Sequence, residues 1–367
     1  MSRRQPASTQ IASPQGVTAL WPRLRELSLV VEACEYERLE ADPPSAMERT
    51  TTQIRLLGGG TDGLGEDICP FPDERDALPS LPLAGEWTLA RFCEHLATLE
   101  QWPTPPEWQA ARQYRNWAYE SAALDLALRQ AGGALHDVLG LQPRPVRFVN
   151  SFGLGDPPAT RTLRDRLARY PSLRFKLDAV PAWTAALTTE VAGTGAVESI
   201  DFKGHYGQDV SDSESLIALY DRVLAAFPDA LLEDPHDMPE ITARLAPQID
   251  RVSYDAPIRT AQDLDSTPLA ARNVNVKPSR IGGLRPLLDL YAYCHAQGVR
   301  MYGGGMGELG VGRGQIQLLA SLFHADAPND VAPVGYNAAD PPDDLPASPL
   351  PPRPAVIGFR WQSDSDR

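Results

Sequence analysis

Three acids and two lysines stand at the ends of short apolar stretches in this 367-residue chain. Lys176 follows Leu173-Arg-Phe, Asp201 follows Ser199-Ile, Glu233 follows Leu231-Leu, Asp255 follows Val252-Ser-Tyr, and Lys277 follows Asn273-Val-Asn-Val. Asp201, Glu233, Asp255 and Lys277 succeed one another at separations of 32, 22 and 22 residues, each the length of one strand–helix unit. A cation at the end of a buried strand is costly unless a carboxylate or a reaction occupies it. Three carboxylates meeting in one mouth would repel, and a hard divalent ion, Mg²⁺ or Mn²⁺, is their natural partner. Such an ion keeps room for water and a bidentate substrate. Two amines flanking a bound carboxylate could take a proton from one face of its α-carbon and return it on the other. The metal would stabilise the enediolate so formed, and cation plus burial would bring a lysine down towards the working range of a base.

The elements that must hold these residues follow an alternating rhythm. Strands are predicted near 146–150, 172–177, 197–202, 230–233, 251–255, 273–277, 299–303 and 330–333, with helices such as Ser213 to Phe227 and Leu284 to Gln297 between them. Eight such units predict an α/β fold, a (β/α)8 TIM-type barrel, whose reactive groups gather at the carboxyl ends of strands. Strands two and six of a closed ring face each other, so Lys176 and Lys277 flank acids carried on the arc between them. Ahead of the barrel, strands are predicted over Leu27 to Glu37 and Thr51 to Leu57. A Gly58-Gly59-Gly60 turn and a third short strand follow, and then a helical pattern from Arg115 to Leu139. The chain divides into a polar tail (1–17), an α+β domain (18–142), the barrel (143–335) and a Pro-rich segment (336–367) that returns to the first domain or crosses the barrel base.

The ordered set Lys176, Asp201, Glu233, Asp255 and Lys277 resembles the catalytic frame of the enolase superfamily. It is most like the muconate-lactonising enzyme and o-succinylbenzoate synthase subgroup. Gly63-Leu64-Gly65-Glu66 is similar to that family's capping-domain motif, and Glu120-Ser-Ala-Ala-Leu-Asp125 resembles its long capping helix. The resemblance implies a Mg²⁺-dependent isomerase or lyase that removes the proton α to a carboxylate, a chemistry known for lysine-based members of that superfamily. The outcome would be racemisation or epimerisation, or β-elimination of the dehydratase or o-succinylbenzoate synthase kind. Asp201, Glu233 and Asp255 would hold the metal, and Lys176 and Lys277 would be acid and base. Residues 38 to 50 and the Asp67-Ile-Cys69-Pro loop would close the site. The chain departs from the family pattern at strand two, which reads as Arg174-Phe-Lys176 or as Lys176-Leu-Asp178 with the second base lost. The first register leaves Lys176 as the base and gives Arg174 a place near the substrate. Lys203 stands where asparagine is common, and Ala256 where a second acid is common. Lys203 and Glu308 are further substrate-binding candidates.

Plainer readings exist for each residue. Asp201 or Asp255 alone could cap a helix, as Asp234 before Pro235 is expected to do. Lys277 could be a structural bridge, Lys176 a partner of Asp178, and Glu308 the start of a helix. His205 could line the pocket or lie on a surface loop. The two glycine runs lack the lysine and serine of a phosphate loop and read as turns. A formal net charge of −14 argues against nucleic acid or an anionic membrane, and no apolar run is long enough to span a bilayer. Scattered cysteines and the lack of an apolar amino-terminal core predict a cytoplasmic protein. The expected partners are a small carboxylate and further copies of the chain. A metal-binding barrel without turnover, or a glycosidase using two carboxylates, are the alternatives.

Overall fold

The computed structural model describes residues 19–41, 50–206 and 212–362. Seven parallel strands form one curled sheet: β6 (Asn150–Gly153), β7 (Phe175–Asp178), β8 (Val197–Asp201), β9 (Leu231–Glu233), β10 (Val252–Tyr254), β11 (Asn273–Val276) and β12 (Arg300–Gly303). They neighbour one another in chain order, which is the barrel topology that the sequence rhythm predicts. Apolar residues on the outer faces, among them Phe175, Leu177, Ile200, Leu232, Val252, Val274 and Val276, join one core with the surrounding helices.

The expected eighth strand is reduced to two residues. Asn329 and Asp330 pair in parallel with Phe148 and Gly304, which closes the ring. The closure rests on Asn329. Its side chain accepts from the Gly303 amide at 2.7 Å and donates to the carbonyls of Arg147, His324 and Ala327. Side-chain bonds replace a longer ladder here, so no extended apolar run was needed in the sequence.

In the first domain the expected strand over Leu27 to Glu37 is two strands. Here β1 (Ser28–Val31) pairs with β5 (Gly85–Thr88), while β2 (Ala33–Glu40), β3 (Thr50–Gly58) and β4 (Thr61–Asp67) form an antiparallel meander. The long helix spans Ala110–Gln130 and stops before Gly132, whose φ is +67°. A short helix, Leu135–Leu139, follows, so the predicted helix over 115–139 is interrupted by its glycines. Gly63 and Gly65 let the helix lie directly on β4. A Cβ on either would sit 2.2 Å from the Ala122 carbonyl or 1.9 Å from that of Ala118.

Asp67 and Arg115 form a fully buried pair at 2.8 Å. Arg115 also donates to the carbonyls of Glu74, Arg75, Ala77 and Gln101. The Asp67 end of the Asp67-Ile-Cys69-Pro loop is therefore anchored inside the cap. Of the expected closing segment 38–50, residues 42–49 lie outside the described residues, as do 1–17. The carboxyl-terminal segment follows both expected courses. Leu350 pairs with Val146 ahead of the first barrel strand, and then Phe359 and Arg360 bind Asp125 on the long cap helix. Among the described residues, no helix is long and apolar enough to cross a membrane.

His324 ends the last barrel helix, buried, with Nδ1 2.7 Å from Asn329 Oδ1. Burial pushes its imidazole from 6.5 down to about 4. The unfolded ring takes up a proton near 6.5, and the folded ring does not until about 4. The stability it contributes is thus complete above 6.5 and lost as pH falls towards 4. His324→Gln is expected to flatten the pH dependence of the urea midpoint across that window. An unchanged slope would show that other groups control it.

Candidate active site

The alternation of each strand decides which side chains reach the barrel mouth. Cross-strand pairs place Lys176 beside Ser199, Asp178 beside Asp201, and Asp201 beside Glu233. Asp201, Glu233 and Asp255 are fully buried. Lys176 Nζ lies 3.1 Å from Asp201 Oδ2 and 3.9 Å from Asp330 Oδ2, and it also bonds Glu233 Oε1. Asn275 Nδ2 donates to the same Glu233 oxygen at 3.1 Å, and the Tyr302 hydroxyl to the other at 2.6 Å. On the far side, Lys277 Nζ is 2.6 Å from Asp255 Oδ2, and Arg280 Nε is 3.2 Å from Oδ1. Lys176 and Lys277, with Asp178, Lys203, Tyr206 and Asp330, line a cavity of about 660 Å³, and the three acids stand directly behind these cations.

Burial opposes charge on Lys176, but Asp201 and Glu233, aided by Asp330, outweigh it and hold the ammonium well above its ordinary value. In this arrangement its neighbours are anions, whereas the lowering expected from the sequence belongs to a lysine beside a bound cation. Asp255 behaves in the opposite sense: burial alone would raise its carboxyl, and Lys277 and Arg280 bring it below the ordinary range. Glu233 is pushed up by burial and by the charges of Asp201 and Asp255, against the pull of Lys176. The three acids therefore act on one another across a shared interior.

Other candidates fall in different places. Arg174 turns back to the Leu173 carbonyl and is not among the residues lining the cavity. The strand-two pair facing the mouth is Lys176 and Asp178, so the preferred register, with Arg174 beside the substrate, is corrected. Glu308 is buried and accepts from the amides of Met306 and Gly307, holding its own loop in place of a substrate. The following helix begins at Val311. Asp234 is not a helix cap: it accepts from the amides of Asp255 and Ala256, tying β9 to β10. His205 packs against Tyr254 and is not part of the cavity lining. Lys203 does border the cavity, but its ammonium is on Asp201 and Asp178. Sequence reasoning missed Arg280, Tyr206, Asn275, Tyr302 and Asp330. Arg280 was the most findable, three residues beyond Lys277 on a one-turn helix; the others are signalled only by contacts that folding creates.

The donor chemistry fits a hard divalent ion. Three anionic side chains come from neighbouring strand ends. Asp255 Oδ1 is a buried acceptor without a hydrogen bond, because the Arg280 Nε at 3.2 Å is poorly aligned with it. In the present arrangement ammonium groups hold Asp201 Oδ2, Glu233 Oε1 and Asp255 Oδ2, the Lys203 amide holds Asp201 Oδ1 and the Tyr302 hydroxyl holds Glu233 Oε2. Among the described residues no three acid, histidine or cysteine side chains are placed to share an ion as they stand.

The cap grips this mouth through Glu66. Its carboxylate accepts from the amides of Leu309 at 2.6 Å, Gly310 at 3.0 Å and Gly312 at 2.8 Å, and from the Thr51 hydroxyl at 2.7 Å.

Comparison with known proteins gives this geometry its family. Residues 142–338 match the C-terminal domain, and residues 22–138 the N-terminal domain, of a family described as a domain of unknown function, DUF8230. The chain is 27% identical over 304 residues to an N-succinylamino acid racemase of Thermus thermophilus, covering 78% of this chain and 79% of that protein. It is 30% identical over 270 residues to an N-succinylamino acid racemase of an Amycolatopsis species, covering 70% and 67%. A hydrophobic dipeptide epimerase of Roseobacter litoralis is 28% identical over 287 residues, covering 74% and 79%. Among solved structures, the dipeptide epimerase of Methylococcus capsulatus, complexed with Mg ion, superposes with a TM-score of 0.64 at 18% identity over 91% of this chain and all of that one. The muconate lactonizing enzyme of Pseudomonas putida gives 0.58 at 17% identity, covering 92% and 98%. Those two likenesses establish the fold. The chain belongs to the family DUF8230, and with its racemase and epimerase relatives it is an enzyme of the enolase superfamily.

Glu66→Ala would orphan the three amides of the seventh loop, and a buried N–H left without a partner costs about 1–3 kcal/mol. It is expected to lower the unfolding free energy by about 2 kcal/mol or more. Amide exchange at Leu309, Gly310 and Gly312 should accelerate. Unchanged protection there would mean that the loop is held by other contacts.

Proposed function

We propose that this enzyme moves a proton at the carbon next to a carboxylate, interconverting the two configurations of a small acid such as an N-acylated amino acid or a dipeptide. One observation carries the reading. Lys176 and Lys277 come from β7 and β11, four strands apart in the ring, and both border one cavity with the acids between them. A proton can then leave one face and return on the other, which a single amine cannot arrange. Asp201, Glu233 and Asp255 would hold Mg²⁺, as the Mg-complexed epimerase of like fold suggests. Bound there, the ion supplies positive charge to a substrate carboxylate and acidifies the adjacent C–H. Lys176 reaches the cavity from one side and Lys277 from the other, one to take the proton and the other to return it. Tyr302 and Asn275 fix Glu233 from behind, leaving its orientation independent of substrate.

A second reading is β-elimination, favoured by 27% identity over 225 residues to an o-succinylbenzoate synthase of Geobacillus stearothermophilus. Elimination needs one amine to take the proton, whereas racemisation uses both. A glycosidase would need a free pair of acids, while here each of the three meets a cation. Four free cysteines support a reducing compartment such as the cytoplasm.

Incubation in D₂O with a panel of N-acyl amino acids, dipeptides and hydroxy acids is expected to show α-deuterium uptake by NMR. Uptake should stop when the divalent ion is chelated and resume when it is restored. Lys176→Ala and Lys277→Ala should each slow racemisation by about 10²–10⁴-fold, each sparing exchange from one enantiomer only. Exchange from both enantiomers surviving in either variant would refute the two-amine reading.

A further inference from the structure

Lys203 has a role that neither the relatives nor the family frame assigns. It follows Asp201 by two residues, in a backbone conformation with φ +55° that lysine adopts only under constraint. The constraint is visible. Its backbone N–H donates to Asp201 Oδ1 at 3.0 Å while its ammonium reaches Oδ2 at 2.5 Å, so one residue occupies both oxygens of that carboxylate. The same ammonium is 3.1 Å from Asp178 Oδ1 and 5.4 Å from the centre of the Tyr206 ring.

Two ammonium groups thus share Asp201 Oδ2, and they differ in freedom. Lys176 is 1% exposed and bonded among Asp201, Glu233 and Asp330, whereas the Lys203 side chain is 28% exposed and borders the cavity. Lys203 has room to leave, and Asp178, itself 30% exposed, offers a second carboxylate on which to come to rest.

We propose that Lys203 is a built-in counter-ion that competes with the divalent metal for Asp201, and that ion entry moves its ammonium over to Asp178. The metal site of this chain is then weaker and more readily exchanged than its three acids alone would make it. This rests on the three-acid ion site of the proposed function. Asparagine is well suited to a left-handed backbone, so Lys203→Asn removes the ammonium without adding strain.

The test is calorimetric titration of the full chain with Mn²⁺ alone, with no substrate and no activity readout. Lys203→Asn is expected to bind Mn²⁺ at least about tenfold more tightly than the native chain. Asp178→Asn, which takes away the resting place, should weaken binding in the native background and have no effect in the Lys203→Asn background. Equal affinities for the native chain and Lys203→Asn, with Asp201→Asn abolishing binding, would overturn the competition and leave the ion site standing. Failure of Lys203→Asn to bind Mn²⁺ at millimolar concentration would overturn both. Thermal melts of each variant establish that the titrated protein is folded.

Discussion

Three carboxylates buried on adjacent strand ends cannot stand uncompensated, and much of the barrel mouth is arranged around that requirement. Lys176 spans Asp201 and Glu233 from β7, while Lys277 and Arg280 hold Asp255 from the far side. Apart from Lys203, which holds Asp201 from two residues away, the cations come from strands two and six and from the turn after strand six, so the full charge balance exists only once the ring has formed. Polar neighbours complete it: Tyr302 and Asn275 saturate Glu233, and Tyr206 joins Arg280 to Asp255. Removing one member of such a set leaves its partner buried and charged, which costs far more than the pair itself contributes.

The same economy appears where the ring closes. Asn329 substitutes four side-chain bonds for a strand and sets Asp330 within 3.9 Å of Lys176. Glu66 then ties the cap to the loop after β12 through backbone amides alone, so its grip depends on the course of that loop and not on its side chains.

Much of this was legible in the sequence because strand-end chemistry is local. Lys176, Asp201, Glu233, Asp255 and Lys277 each end an apolar stretch, and regular spacing converts that order into a ring. The family resemblance added the cap. What could not be read depends on where the chain returns. Arg174 shares the strand parity of Lys176 but precedes the first residue of β7, where the register shifts, and its side chain turns back along the chain. Glu308 looked like a pocket acid and proved to fold its own loop. Asp234 looked like a helix cap and proved to bind the next strand. A carboxylate's partners are set by which backbone amides the fold turns towards it, near in sequence for Glu308 and distant for Asp234, and sequence spacing says little about those.

The path of the last described residues carries a mechanical consequence. The segment crosses from Leu350, against the foot of the barrel, to Phe359 and Arg360 on the cap helix. Glu66 fastens the adjoining cap strand to the mouth, and Glu120, further back on that helix, accepts from the Leu284 amide of the barrel. With moorings at three places, the cap cannot swing as a rigid lid without tearing one of them loose. Traffic into the interior must therefore pass by the rearrangement of short segments, and the chain's own tail sets how stiff the entrance is.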